Sequence, residues 1–281
     1  MPVNMDLMSG NPTIAQFKRT IWAHYRRTGR ATLPWRHTRD PYAIFISEVM
    51  LQQTQVTRVE GYYAKWLARF PDFSALARAR TADVLAVWQG LGYNRRALFL
   101  KRAAEIVVKK YGGSLPRDRA ALQALPGIGK GTSGSLMVFA FDEPEVFIET
   151  NIRRVFIHFF FPRKKYVTDA ELERYIKSSL DRKRPREWYW ALMDCGAAMK
   201  RENPNRRSAH YKKQAKFEGS QRQLRGRLLR LMVSAPKRGE IDVRELPAMI
   251  GVATARIRKA IVGLEKEGFI VRKGYYICIK T

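Results

Sequence analysis

Along the first two hundred residues, apolar side chains return every three or four positions and almost nothing alternates, a spacing that predicts helices rather than strands. Ile14, Phe17, Ile21, Trp22 and Tyr25 form one such stripe over 13–27. Pro34 and Pro41 turn 32–42 into a loop, because proline pushes the residue before it out of the helical region. A helix over 43–53 carries SEVMLQQT, and others follow over 56–70, 72–78 and 81–88. GLGYNRRA (90–97) reads as a glycine-rich turn into a helix over 96–111. Pro116 and Asp118 start a short helix that runs up to LPGIG, followed by helices over 132–141, from about Thr150 or Asn151, over 169–180 and over 188–200.

The pattern changes at 201–223, which is strongly basic and nearly free of aliphatic residues, as in an exposed linker or a solvated helix lying along phosphate. Leu224, Leu228, Leu231 and Met232 then restore a helical stripe. A short helix over 243–250, a turn at Gly251 and a helix over 254–267 lead to two β-rich runs around Lys273-Gly274. Helix, helix-turn-helix and hairpin is the winged-helix order. Its second helix carries Arg256, Arg258 and Lys259, where a major-groove reader needs positive charge. The alternative is a winged helix that docks protein. The expected domains are 1–205, a basic linker over 206–220, and a winged helix over 221–281.

Charge narrows the partner. Lys and Arg number 53 against 25 Asp and Glu, a formal +28, far more than solubility requires. A polyanion is the natural counterpart, nucleic acid before membrane. At 46% hydrophobic residues the chain can bury cores in two domains. No apolar run approaches the roughly 18 residues of a spanning helix, and the N-terminus lacks the charged and apolar blocks of a secretory signal. Cys195 and Cys278 are the only cysteines, too few for a disulfide framework or a four-cysteine metal site, and they suit a reducing interior. The expected compartment is the cytoplasm, on the nucleoid, and the expected state is a monomer without a membrane partner.

Two stretches carry candidate chemistry. In LPGIGKGT, Gly127, Gly129 and Gly131 leave backbone N–H groups bare at a helix start, with Lys130 beside them, the arrangement that receives phosphate. Glu149 follows at the start of the next helix, with Arg153 and Arg154 in its first turn. A helix–helix turn with a capping acid explains the same residues. Glu48 stands in the otherwise apolar helix YAIFISEVMLQQT, where desolvation favours the protonated acid. A salt-bridged core glutamate is the plainer explanation. If Glu149 stays ionised in its basic, capping surroundings, the chain holds one proton donor and one charged stabiliser, the division of labour by which glycosidic bonds are cut.

LPWR (33–36), DPY (40–42), SEVMLQQTQV (47–56), WQGLGYNRRA (88–97), LPGIGKGT and MDCGA (193–197) stand in the order found in adenine DNA glycosylases of the MutY type, which this chain resembles over roughly 30–200. These belong to the helix-hairpin-helix superfamily that includes endonuclease III. The resemblance implies a mainly α, two-lobed glycosylase fold with its hairpin at about 118–140, followed here by the small winged helix. It implies double-stranded DNA with a mispaired or damaged base as partner, and excision of a flipped purine, most simply adenine opposite guanine or 8-oxoguanine. By that resemblance Glu48 protonates the base, and Glu149 matches the catalytic aspartate, 18 residues after Gly131 as in the family. Trp35, Arg36, Leu51, Gly131, Asn151 and Trp190 fall at the base pocket. Gln53, Thr54 and Tyr93 fall on the opposite-base side, and Gly127, Gly129 and Lys130 in the phosphate hairpin, a place that also allows a monovalent cation.

The chain departs from the family in several places. Glutamate replaces aspartate at 149, and one methylene moves a carboxylate by about an ångström, enough to change rates severely. Gly131 stands where endonuclease III keeps its lysine nucleophile, with Lys130 about 100° away around a helix, so no β-lyase activity is expected. Trp190 stands where relatives keep an amide or acid against the adenine edge. Lys200 stands where the first of four iron–sulfur cysteines would be, so no cluster, and no other cofactor or metal, is expected. The large β-rich lesion-reading domain is replaced by the winged helix. Excision of thymine or uracil opposite guanine, hypoxanthine or an alkylated purine, or mismatch binding without catalysis, are the alternatives these departures leave.

Overall fold

The computed structural model describes residues 11–235 and 240–280. Its helices are α1 (Ile14–Thr28), α2 (Pro41–Leu51), α3 (Val56–Arg69), α4 (Phe73–Arg78), α5 (Thr81–Trp88), α6 (Arg95–Tyr111), α7 (Arg119–Gln123), α8 (Lys130–Phe141), α9 (Thr150–Phe160), α10 (Asp169–Ser179), α11 (Pro185–Ala198), α12 (Gln221–Ser234), α13 (Leu246–Ile250) and α14 (Thr254–Lys266). Strands β1 (Ile241–Asp242), β2 (Ile270–Lys273) and β3 (Tyr276–Ile279) lie in the C-terminal part. The fold is mainly α, as the apolar spacing predicts.

Two proline-marked boundaries differ from expectation. Helix α2 begins at Pro41, not after it, because proline at a first helical position lacks only an N–H that would have had no helical acceptor. Asp40 completes that end: its carboxylate oxygens accept the N–H of Tyr42 at 3.0 Å and of Ala43 at 3.3 Å. The helix stops at Leu51, leaving Gln52 and Gln53 in a turn where Gln53 takes φ 56°. Helix α11 likewise starts on its proline, Pro185.

The chain divides into two compact units. The first takes the described residues up to Ile44, with Arg117–Gln123 and Ile128–Lys213; the second takes Phe45–Pro116, Ala124–Gly127 and the described residues from Gln214 onward. In the first unit, Phe17 of α1 is the centre of an aromatic core. Its ring lies 5.0 Å from Phe156 and Phe160 of α9 and 6.0 Å from Trp188 of α11. Burying a phenylalanine contributes about 1.5–3 kcal/mol by area alone, so this stripe sets the packing of three helices. Thr13 and Gln16 close the start of α1 with a reciprocal capping box.

In the second unit, Trp66 of α3 meets Trp88 of α5 edge to face at 5.4 Å, and Phe45 meets Phe73 at 5.5 Å. Its C-terminal portion runs helix, strand, helix, helix, hairpin, with an antiparallel sheet of order β1-β3-β2. Ile241 pairs with Ile277, and Ile270 with Ile279. The helix expected over 243–250 is shorter, because β1 and the turn after it take its beginning: the Val243 N–H donates to the Tyr275 carbonyl at 2.8 Å. Between α11 and α12, 204–207 form a short 3-10 turn and 211–217 have no regular structure and are exposed.

Candidate active site

Glu149 caps α9. One carboxylate oxygen accepts the backbone N–H of Asn151 at 2.8 Å and of Ile152 at 3.1 Å, and the other faces the Asn151 amide at 3.4 Å. Asn151 in turn accepts from Arg154 at 2.7 Å, and Arg154 reaches Asn203 at 3.0 Å. The start of α8 runs directly past this cap: a Cβ added to Gly131 would stand 3.3 Å from the Ile148 carbonyl oxygen. Gly131, Glu149 and Asn151 are therefore neighbours. The surroundings of Glu149 act on its proton affinity in both directions. Burial pushes the carboxyl above its usual range, and the two backbone N–H groups, Arg154 and Arg153 offset this only in part. Desolvation is the larger influence here, and the capping bonds and arginines favour the ionised form against it.

Trp35 is buried, and Arg36 is occupied within its own unit. The Arg36 guanidinium makes paired bonds to Asp194, each 2.8 Å, and Arg30 adds its backbone N–H at 2.9 Å and its Nε at 2.7 Å. Burial pushes the Asp194 carboxyl up, but the hydrogen bonds and charges of Arg36 and Arg30 outweigh it and hold the group below the usual carboxylate range. Arg36 also lies 5.3 Å from the Trp190 ring, which stacks on Phe139 of α8 at 6.0 Å and 10°. The structure thus brings Arg36 and Trp190 together.

In the second unit, Glu48 is half-buried on a stretch of α2 where Phe45, Ile46, Ser47, Val49 and Met50 are buried, and Leu51 is half-buried at its end. The turn after it is organised by a residue the sequence reading passed over. Arg96 is buried in α6 and donates to the carbonyls of Val49 (2.9 Å), Met50 (2.8 Å) and Gln52 (2.6 Å), the last carbonyls of α2 and of the turn that follows. Its other nitrogen reaches the Thr54 hydroxyl at 2.9 Å and the Gly92 carbonyl at 3.0 Å. Burial lowers its pKa to about 10, which still leaves it charged at neutral pH. Gln53 and Tyr93 both take left-handed backbone, φ 56° and 50°, and Arg96 bonds to the backbone or side chain of residues flanking each of them. Its signal in the sequence was a charge on the apolar stripe shared with Leu100, Ala103 and Val107.

At the hairpin, Gly127 takes φ 79°, and a Cβ there would come within 2.7 Å of the Phe99 side chain, so the turn needs glycine on both counts. Gln52 donates to the Gly127 carbonyl at 3.4 Å. Gly129 caps α8 without any side chain on the first amides, faces open space, and is followed by exposed Lys130. In α14, Arg256, Arg258 and Lys259 are all exposed, but the Arg256 guanidinium donates to the Gly219 carbonyl of its own unit.

Among the described residues, no group of three or more His, Cys, Asp or Glu side chains is placed to hold a metal ion. The residues do not fit a four-thiolate cluster. Cys195 is buried in α11, its thiol pushed up to about 12 by burial with Asp194 adding to it, and Cys278 lies in the other unit. Past α11, Arg207 is bonded to the carbonyls of Phe161, Pro162 and Lys164. No described helix is long and apolar enough to cross a membrane.

Residues 46–182 match the family described as HhH-GPD superfamily base excision DNA repair protein. With a full-length relative at this similarity, the chain belongs to the HhH-GPD superfamily of base excision DNA repair proteins. That relative is an adenine DNA glycosylase of Mycobacterium tuberculosis, 32% identical over 281 residues, covering 90% of this chain and 89% of its own. An adenine DNA glycosylase of Buchnera aphidicola subsp. Baizongia pistaciae is 37% identical over 187 residues, 66% of this chain; the chain spans about half of that relative's length, 53%. Among solved structures, a thermostable thymine-DNA glycosylase superposes with a TM-score of 0.57 at 29% identity, covering 66% of this chain and 86% of that one.

Proposed function

We propose that the protein is a monofunctional DNA glycosylase that releases adenine mispaired with guanine or 8-oxoguanine and leaves an abasic site. The observation that carries this is the carboxylate of Glu149, fixed at a helix N-terminus by two backbone N–H groups. Such a carboxylate cannot swing away as positive charge develops on a sugar beside it, and a preorganised charge stabilises that transition state more than the ground state. Glu48, half-buried on an apolar helix, supplies the proton that lets the adenine ring leave as a neutral base. Water then adds to the sugar. Gly131 offers no amine for a Schiff base, and exposed Lys130 lies one position along α8.

The preference for adenine is supported by the relatives, of which the Mycobacterium tuberculosis protein matches over 90% of this chain. The formal +28 supports double-stranded DNA as the partner, received at the bare amides of α8 and on Arg258 and Lys259 of α14. We place the activity in a cluster-free protein, since only two cysteines exist to ligate iron.

Single-turnover assays on duplexes carrying adenine opposite guanine, 8-oxoguanine or cytosine, with thymine and uracil opposite guanine alongside, test the assignment. Adenine release from the first two is expected. Glu48→Gln should abolish it and keep DNA affinity within about threefold, since an isosteric amide changes protonation and little else. Tight DNA binding with no base freed from any duplex would rule out the enzyme.

A further inference from the structure

We infer that the cleft between α6 and α14 is a phosphate site, built from side chains rather than from bare helix amides, that takes a phosphate of a DNA strand or of a free nucleotide. The inference does not depend on which base is released. Its observations lie within one compact unit. A cavity of about 430 Å³ opens between the two helices. Small-molecule sites begin at about 300 Å³, so there is room for a phosphate and the sugar it is attached to. Helix α6 supplies Arg95 and Arg102 from one face, two turns apart, and Lys266 and Glu267 face the cavity from the end of α14.

The charge of the cleft is unbalanced. Glu267, the one carboxylate lining it, is already engaged by Arg225 of α12, with Arg95 4.0 Å away. Arg102 donates to the Glu267 carbonyl at 3.4 Å, and among the described residues no carboxylate pairs with Arg102 or with Lys266. Phosphate is the counterion this arrangement fits: a guanidinium fork meets two of its oxygens at once, and an ammonium adds a point charge. Between the arginines, Leu98 is buried and Phe99 half-buried, with Arg95 5.2 Å from the Phe99 ring, an apolar wall on which a sugar or base can pack. The Gly127 turn closes against the same Phe99, so turn and cleft share a wall. Gly263 keeps the cleft open. It sits inside α14, where glycine favours the helix less than alanine does, and a Cβ there would meet nothing nearer than the Arg225 guanidinium at 3.9 Å, an ordinary contact. Neither backbone nor packing demands glycine at this position, and its bare Cα gives the cleft its width.

Calorimetric titration of the full chain with pyrophosphate tests the site, because that probe offers phosphate without sugar or base. Arg102→Gln should weaken binding at least about tenfold, the loss of one charged hydrogen-bonding group. Lys109→Gln, an equal change of charge at an exposed position further along α6, should change it less than about twofold. Gly263→Met narrows the cleft and alters no charge, so a comparable loss at an unchanged thermal midpoint separates a shaped site from general basicity. If that variant shifts the midpoint, the comparison of Arg102 with Lys109 decides alone. Affinity that survives both cleft substitutions, as it would at the α8 amides, equal losses in Arg102→Gln and Lys109→Gln, or no saturable binding by wild type would overturn the inference. Duplex DNA then tells the two sources apart. With a strand phosphate in the cleft, Arg102→Gln lowers the slope of log affinity against log salt by about one. With a free nucleotide there, the slope keeps its wild-type value, and deoxyadenosine monophosphate binds with the same dependence on Arg102. Neither readout involves base release, so a protein that frees no base would fail the glycosylase assignment and leave the phosphate site standing.

Discussion

Glu149 illustrates how little a residue's type settles without its surroundings. The carboxyl binds its proton more tightly in the folded protein than in the unfolded chain, because burial outweighs the hydrogen bonds and arginines around it. Two consequences follow with opposite signs. In the proposed reaction the ionised form stabilises a cationic sugar, so base release should fall on the acid side at a higher pH than an ordinary glutamate would give. Stability runs the other way: the folded state holds more protons through the window between the ordinary and the raised pKa, so ionisation there costs stability as pH rises. Glu149→Gln keeps the oxygen that receives both backbone N–H groups and removes the buried charge. It should cut base release about 100- to 1,000-fold, while its thermal midpoint relative to wild type climbs as pH rises above the ordinary carboxylate range; a falling difference would contradict the buried-charge account. Asp194 is the contrasting case. Its two arginines overcome the desolvation, so its contribution to stability is full at neutral pH and is lost only as pH falls through its depressed pKa.

At the scale of elements, the joint between α2 and the turn before α6 depends on one guanidinium. The closing carbonyls of a helix lack intrahelical donors, and here Arg96 supplies them for Val49 and Met50 from 46 to 47 residues away in the chain. The same group reaches Thr54 and Gly92, so the turns that carry Gln53 and Tyr93 share a support. Lysine in its place keeps the charge but has no planar fork to serve several acceptors at once. Arg96→Lys should therefore lower stability by about 1–3 kcal/mol, the cost of leaving buried carbonyls unmatched, and weaken binding to mispaired duplex more than to matched duplex. Denaturant titration and duplex competition measure the two effects; an unchanged ratio of the two affinities would limit Arg96 to folding.

For the whole molecule, the excess of basic residues predicts that the proposed affinity for DNA comes largely from counterion release. If six or more phosphates are contacted, affinity should drop about a thousandfold or more between about 50 mM and about 200 mM salt. A slope near zero in a titration of log affinity against log salt would remove the polyanion assignment. The helical class, the positions of most helices, the positive charge and the two candidate acids were all legible along the chain, because apolar periodicity and residue type are local properties. The winged-helix order was legible for the same reason, although β1 was missed, since two residues are too few to show an alternation. Tertiary structure alone decided which way the proton affinity of Glu149 moves, what Arg96 holds, and that Arg222 meets Tyr93 from 129 residues away. Desolvation and long-range hydrogen bonds depend on which distant segments fold onto a side chain, and neighbouring letters in a sequence carry no record of that.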